Sequence, residues 1–158
     1  MEVLMKEKLY VAYGSNINLE QMAFRCPNSE VVGTAMLQGY ELQFKRVATI
    51  EKSSDAQTPV LIWKLPKEDE NILDRYEGFP SLYRKEQISL ELDGKEQKAM
   101  VYIMNGNRPL SEPTMGYYDC IQQGYIENGL DLSYLERALE QSQKLAETEE
   151  ENLFMGWE

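Results

Sequence analysis

The segment from Ile88 to Met104 constrains the fold most. Ile88-Ser89-Leu90-Glu91-Leu92 alternates apolar and polar residues, Asp93-Gly94 follows, and Ala99 to Met104 returns as an apolar run. Asp-Gly between two such runs is a strong signal for a tight hairpin, because both central residues must take positive φ. A hairpin makes neighbouring strands antiparallel, so a sheet built only of parallel strands is excluded. The other strand candidates agree. They are Leu9 to Tyr13, a Val31 to Lys45 stretch read as two strands with a bend near Gly39, Ala48 to Lys52, and Pro59 to Leu65. Ser53-Ser54-Asp55-Ala56-Gln57 between the last two is turn-like in composition.

Helical stretches are interspersed among the strands. Asn18 followed by Gln21 resembles a capping box, and Leu19, Met22 and Ala23 then share a face before Pro27 stops the helix. Lys67 to Glu77 has Ile72, Leu73 and Tyr76 on one face and Gly78 placed as the residue beyond its end. A helix from about Thr114 to Glu127 stops at Asn128-Gly129, and a last one carries Leu135, Ala138 and Leu139. At 158 residues the chain is one domain of the α+β class. Residues 1–139 read as that domain and 140–158 as an acidic tail, helical or loosely ordered.

Charge and composition remove several functions. The net charge is −11, with no Lys/Arg cluster, which argues against nucleic acid and against a polybasic membrane anchor. Seven acidic and two basic residues fall between Glu136 and Glu158, the pattern of a solvated helix face. No apolar run reaches the ~20 residues of a membrane span. Met1 to Lys8 is charged and has no apolar leader segment. Cys26 and Cys120 form no CxxC pair, so two reduced thiols in the cytoplasm are expected. The chain has no histidine, which eliminates His-based nucleophile systems and His-ligated zinc. Acid–base chemistry must then come from carboxylates, Tyr, Lys or Cys. No carboxylate spacing suggests a metal site, so no metal is expected.

Four segments could carry chemistry. Tyr13-Gly14-Ser15-Asn16 ends a strand and precedes a helix, where exposed N–H groups suit a carboxylate or phosphate; a purely structural turn fits the same residues. Glu77 ends a helix. There the dipole disfavours a carboxylate and burial would raise its pKa, making it a proton shuttle; a surface glutamate at a frayed end is the alternative. Ten tyrosines, several in the second half, supply apolar faces with hydrogen-bonding tips that suit a small polar ligand or an ordinary half-buried position. Gly124 with Glu127-Asn128-Gly129-Leu130 reads most simply as a helix end.

Together, and in this order, these segments resemble the γ-glutamylcyclotransferase-like (AIG2-like, butirosin-type cyclotransferase-like) family. The resemblance rests on Tyr10-Val11-Ala12-Tyr13-Gly14-Ser15-Asn16, on Gly33 to Leu37 with Gly39-Tyr40, on Leu73-Asp74-Arg75-Tyr76-Glu77-Gly78, and on Tyr83, Tyr102-Ile103-Met104 and Gly124…Leu130. It covers about residues 8–135; Ile17 stands where a leucine is usual, and the acidic tail is unmatched. The family implies a mixed, mostly antiparallel sheet curved into a small distorted barrel with flanking helices. It implies that Tyr10, Val11, Ala12, Tyr13, Gly14, Ser15 and Asn16 hold a γ-glutamyl group, with Glu77 as the acid/base. Tyr83, Tyr102 and Tyr117 match pocket tyrosines, Tyr118 being the other alignment for the last. The implied reaction gives 5-oxoproline and a free amine from a small γ-glutamyl substrate, without metal or cofactor. The sequence names neither the amine nor the oligomeric state. A binding module that holds such a ligand without turnover is the alternative reading.

Overall fold

A computed structural model describes residues 7–155. The charged amino-terminal stretch, for residues 1–6, and the end of the acidic tail, for residues 156–158, lie outside the described residues. Five strands form one mixed sheet: β1 (Lys8–Ala12), β2 (Glu30–Lys45), β3 (Val47–Leu65), β4 (Tyr83–Leu92) and β5 (Lys95–Met104), in the order β2-β3-β1-β5-β4. Four helices accompany it: α1 (Leu19–Arg25), α2 (Lys67–Tyr76), α3 (Met115–Glu127) and α4 (Leu132–Met155). All strand pairs are antiparallel except β1 with β5, which run parallel from the centre of the sheet. The two edges, β2 and β4, approach each other, and Gly33 of β2 packs against the Leu92 side chain. The sheet is therefore curled, and the expected barrel-like α+β domain is present.

The local signals act as anticipated at the turns and caps. Asp93 and Gly94 take φ of 53° and 77°, the mirror-image turn that suits a two-residue hairpin, and Leu92 pairs with Lys95. Asn18 caps α1 by accepting from the Gln21 N–H at 2.9 Å, while the Gln21 amide turns away to Asn16 and leaves the other half of the box unformed. Gly78 has φ of 62° just beyond α2 and Gly129 has φ of 66° beyond α3.

The β2–β3 ribbon differs from expectation in two places. Ser53 to Gln57 is not a turn that reverses the chain but part of β3, and Val31 to Lys45 belongs to one strand rather than two. The register steps from Gln38↔Gln57 to Tyr40↔Lys52, so the extra residues of β3 bulge out opposite Gly39. The polar turn-like residues and the glycine bend meet at this one irregularity, and pairing continues on both sides of it. The reversal falls instead at Arg46, with φ of 76° and Lys45 paired to Val47. The Arg46 N–H donates to Ser111 O at 2.9 Å, which ties the tip down. The ribbon tip thus brings Val47 and Ala48 beside the loop that follows β1.

The core lies inside the curled sheet and under α3 and α4. Val11, Phe44, Ile50, Leu61, Ile62 and Val101 are fully buried there. Gly124 of α3 sits against the backbone of Ile17 and Asn18; a Cβ at this position would come within 2.8 Å of both. A glycine is required for α3 to pack this closely, and that packing fixes the loop after β1. Among the described residues no helix is long and apolar enough to cross a membrane.

Candidate active site

The chain leaves β1 at Ala12 and tightens into a single 3-10 turn over Ser15–Ile17, closed by the Ile17 N–H on Gly14 O at 3.1 Å. The first N–H groups of such a turn have no partner within it, so they remain for another acceptor. Trp63 of β3 donates its indole N–H to Asn16 O at 3.0 Å and pins the loop from behind. A Cβ on Gly14 would stand 3.2 Å from Ala48 Cβ and 3.5 Å from the Tyr117 hydroxyl oxygen.

Asn16 is the hub of the site. It is only 3% exposed. Its Oδ1 accepts from Arg25 Nη1 at 3.1 Å and from Gln21 Nε2 at 3.3 Å. Arginine can only donate, so this contact settles which way the amide faces. The Nδ2 therefore points to the Tyr10 hydroxyl at 2.9 Å and to Glu77 Oε1 at 3.5 Å.

Glu77 reaches the same space from the other side. It is the residue at which α2 ends, still in helical conformation, with its N–H on Leu73 O at 2.8 Å. Burial pushes its carboxyl up to about 7, and the nearby Arg25 guanidinium only partly offsets this. Arg25 lies over the Tyr76 ring, 4.3 Å from its centroid, and makes no ion pair among the described residues. The result is a carboxyl that changes protonation state near neutral pH beside a fixed positive charge.

The space between these groups is a cavity of about 150 Å³. Of the residues singled out from sequence, Tyr10, Tyr13, Gly14, Ser15, Asn16, Glu77, Tyr83, Tyr102 and Tyr117 all line it. Val11 and Ala12 do not; they are buried in β1, paired with Ile62 and Leu61. Of the two adjacent tyrosines on α3, Tyr117 faces the cavity and Tyr118 packs on Phe44 with ring centroids 6.0 Å apart. Arg25, Val47, Ala48, Tyr76 and Leu82 complete the wall. Of these five only Tyr76 stood in a motif, beside Glu77, and none was singled out as a site residue. Val47 and Ala48 arrive through the ribbon tip and Arg25 through the packing of α1 on α2, for which spacing along the chain carries no signal.

The tyrosines are held by the frame around them. Tyr13 donates to Tyr102 O at 2.7 Å, and Tyr83 donates to Ala48 O at 2.6 Å. Tyr102 donates to Asp74 Oδ1 at 2.6 Å, and its ring meets that of Tyr10 edge-on at 5.8 Å. Asp74 is balanced by Lys85 at 2.8 Å, which also contacts the buried Glu70 at 2.7 Å. Burial raises the pKa of Tyr10, Tyr13, Tyr83 and Tyr102, and that of Tyr117 to about 12, so these phenols keep their hydrogens at neutral pH. Among the described residues no group of three or more Cys, Asp or Glu could hold a metal ion. The arrangement offers a proton acceptor, a fixed cation and several hydroxyls around a compact polar space.

Comparison with known proteins gives the family of the chain. Residues 10–120 match the family model described as gamma-glutamyl cyclotransferase, AIG2-like. The human gamma-glutamylcyclotransferase is 32% identical over 143 residues, covering 82% of this chain and 76% of its own. The bovine gamma-glutamylcyclotransferase is 31% identical over 140 residues, covering 80% and 74%. A solved structure of a gamma-glutamyl cyclotransferase superposes with a TM-score of 0.75 at 30% identity, covering 84% of this chain and 86% of the other. The chain belongs to the AIG2-like gamma-glutamyl cyclotransferase family.

Proposed function

We propose that this protein is a γ-glutamylcyclotransferase that releases 5-oxoproline and a free amine from a small γ-glutamyl substrate, with Glu77 as general base and then general acid. What carries the reading is that Glu77 and the Gly14–Asn16 loop, some sixty residues apart in sequence, line one cavity. The substrate contains its own nucleophile. Its α-amine attacks its γ-carbonyl and closes a five-membered lactam, so the protein's first task is to hold the chain folded in that geometry. The α-amine is largely protonated near neutral pH, with an ordinary pKa of about 8, and attacks only as the free amine. A carboxyl with a pKa of about 7 suits both taking the proton from the attacking nitrogen and returning it to the departing one.

The Gly14–Asn16 loop, Tyr10, Tyr13, Tyr83, Tyr102 and Tyr117 form the binding surface in this proposal, and Val11 and Ala12, buried and paired in β1, hold that loop from behind without touching the ligand. A volume of about 150 Å³ accommodates the glutamyl portion. The amine then extends past Tyr76, which is half exposed. The chemistry calls for neither metal nor cofactor. All residues with an assigned role fall within 10–117, so residues 140–158 are proposed to be an acidic appendage to a unit spanning residues 1–139. The unpaired Cys26 and Cys120 suit a reducing compartment such as the cytoplasm.

A panel of γ-glutamyl amino acids, amines and peptides incubated with the purified protein tests the reading through 5-oxoproline release. Release from at least one member is the expected result. Binding of panel members without any release would instead favour a module that holds the ligand without turnover.

A further inference from the structure

Six tyrosines line the cavity; Tyr76 is 53% exposed and lies under Arg25, and the five whose hydroxyls are hydrogen-bonded within the protein are not equivalent donors. A hydroxyl has one hydrogen, and the direction of each bond it makes is fixed when its partner can only accept or only donate. Tyr83 faces the Ala48 carbonyl at 2.6 Å and Tyr13 the Tyr102 carbonyl at 2.7 Å, so both hydrogens are committed. Tyr102 spends its hydrogen on the Asp74 carboxylate at 2.6 Å. Tyr10 and Tyr117 are the reverse case. Tyr10 accepts from the Asn16 amide N–H at 2.9 Å, and Tyr117 accepts from the Ala48 backbone N–H at 3.0 Å. No acceptor for either of their hydrogens is present among the described residues. Ala48 therefore sets two tyrosines in opposite senses, taking the hydrogen of one through its carbonyl and leaving that of the other free.

The free hydrogens of Tyr10 and Tyr117 have different neighbours. Tyr10 shares its donor, Asn16 Nδ2, with Glu77, and so stands beside the base. Tyr117 stands against Ala48 and Gly14 instead, with no hydrogen bond to Asn16 or Glu77 among the described residues. Cyclisation needs a base at the attacking nitrogen and a donor at the carbonyl oxygen, with the γ-carbon between them.

We propose that Tyr117 is a further catalytic residue, its uncommitted hydroxyl hydrogen donating to the oxygen of the γ-carbonyl as negative charge develops there. This rests on the cyclotransferase reading. The amine lone pair forms the new C–N bond while the carbonyl π pair moves onto oxygen, and the Tyr117 O–H stabilises that oxyanion without giving up its proton. Glu77 takes a proton from the new ring nitrogen. When the C=O bond re-forms, the old C–N bond breaks and its electron pair leaves with the amine nitrogen, which receives that proton from Glu77. Atoms and charge balance, and no water is consumed.

Tyr117→Phe removes the hydrogen and keeps the ring. Loss of one oxyanion donor typically costs roughly 10²–10³-fold in kcat, so a fall of that order is expected with KM little changed and the pH dependence due to Glu77 retained. Tyr118→Phe, away from the cavity, should leave kcat unchanged. Because Tyr117→Phe also strips Ala48 of its acceptor, 3-fluorotyrosine at position 117 supplies a second arm. It keeps that acceptor and is the stronger donor, so kcat should rise above wild type. A Tyr117→Phe kcat within threefold of wild type, a loss confined to KM, or a fluorotyrosine kcat at or below wild type would each overturn the proposal. A wild-type protein that releases 5-oxoproline from no γ-glutamyl compound would remove the reaction itself, a result distinct from an active enzyme indifferent to Tyr117.

Discussion

The buried carboxyl of Glu77 should leave a mark on stability that needs no substrate to detect. Its carboxyl shifts from 4.5 to about 7 on folding, because burial penalises the charged form. The folded protein therefore binds a proton at pH values where the unfolded chain has lost it, and stability falls as pH rises from about 4.5 to about 7. Each pH unit of that interval corresponds to about 1.4 kcal/mol, so the ceiling is about 3 kcal/mol. Solvent screening at a partly exposed side chain brings the expected figure to about 1–3 kcal/mol. Glu77→Gln does not titrate and escapes this cost. Denaturant unfolding of wild type and Glu77→Gln at pH 4.5 and at pH 8 isolates the effect, since every other titrating group cancels in the difference. The variant should gain about 1–3 kcal/mol on the wild type between the two pH values. A difference that stays the same at both pH values would refute the burial of Glu77 as the source of its raised pKa.

Two further perturbations test the same geometry. The kcat/KM of the wild type should climb with pH through about 7, as the Glu77 carboxylate forms, and Arg25→Met should move that limb upward because the guanidinium favours the charged form; a pH–rate profile of the two proteins checks it. Gly124→Ala forces a Cβ to within 2.8 Å of the Ile17 and Asn18 backbone, so thermal unfolding should reveal a loss of about 1–3 kcal/mol.

What the residues disclosed by themselves was decided by near neighbours in the chain. Asn18 before Leu19, Gly78 after α2 and Asp93-Gly94 between alternating runs each act through backbone geometry within a few positions, and each stands where expected. The ribbon was illegible for the opposite reason. Ser53 to Gln57 is polar and turn-like, yet β2 lies alongside and supplies partners on both sides of the bulge, so long-range pairing outweighs local preference. Arg46 turns the chain with none of the residues that usually mark a turn. The same division runs through the site. Glu77 and the Gly14 loop were legible as a helix end and a strand end with chemistry on them. Arg25 was not, because it reaches Asn16 and Tyr76 only through the packing of α1 beside the end of α2. Tyr117 and Tyr118 are one residue apart on a helix and differ only in what each faces, which packing alone decides.

The central claim is that Glu77 moves the proton in cyclisation. It is tested most directly by 5-oxoproline release from the best γ-glutamyl substrate of the panel, by wild type and Glu77→Gln side by side, with substrate binding measured on both. Glutamine keeps the size and polarity of the side chain and removes its ability to take a proton. Turnover should fall by roughly 10²-fold or more while binding stays nearly intact. A Glu77→Gln protein that releases 5-oxoproline at the wild-type rate would contradict the account.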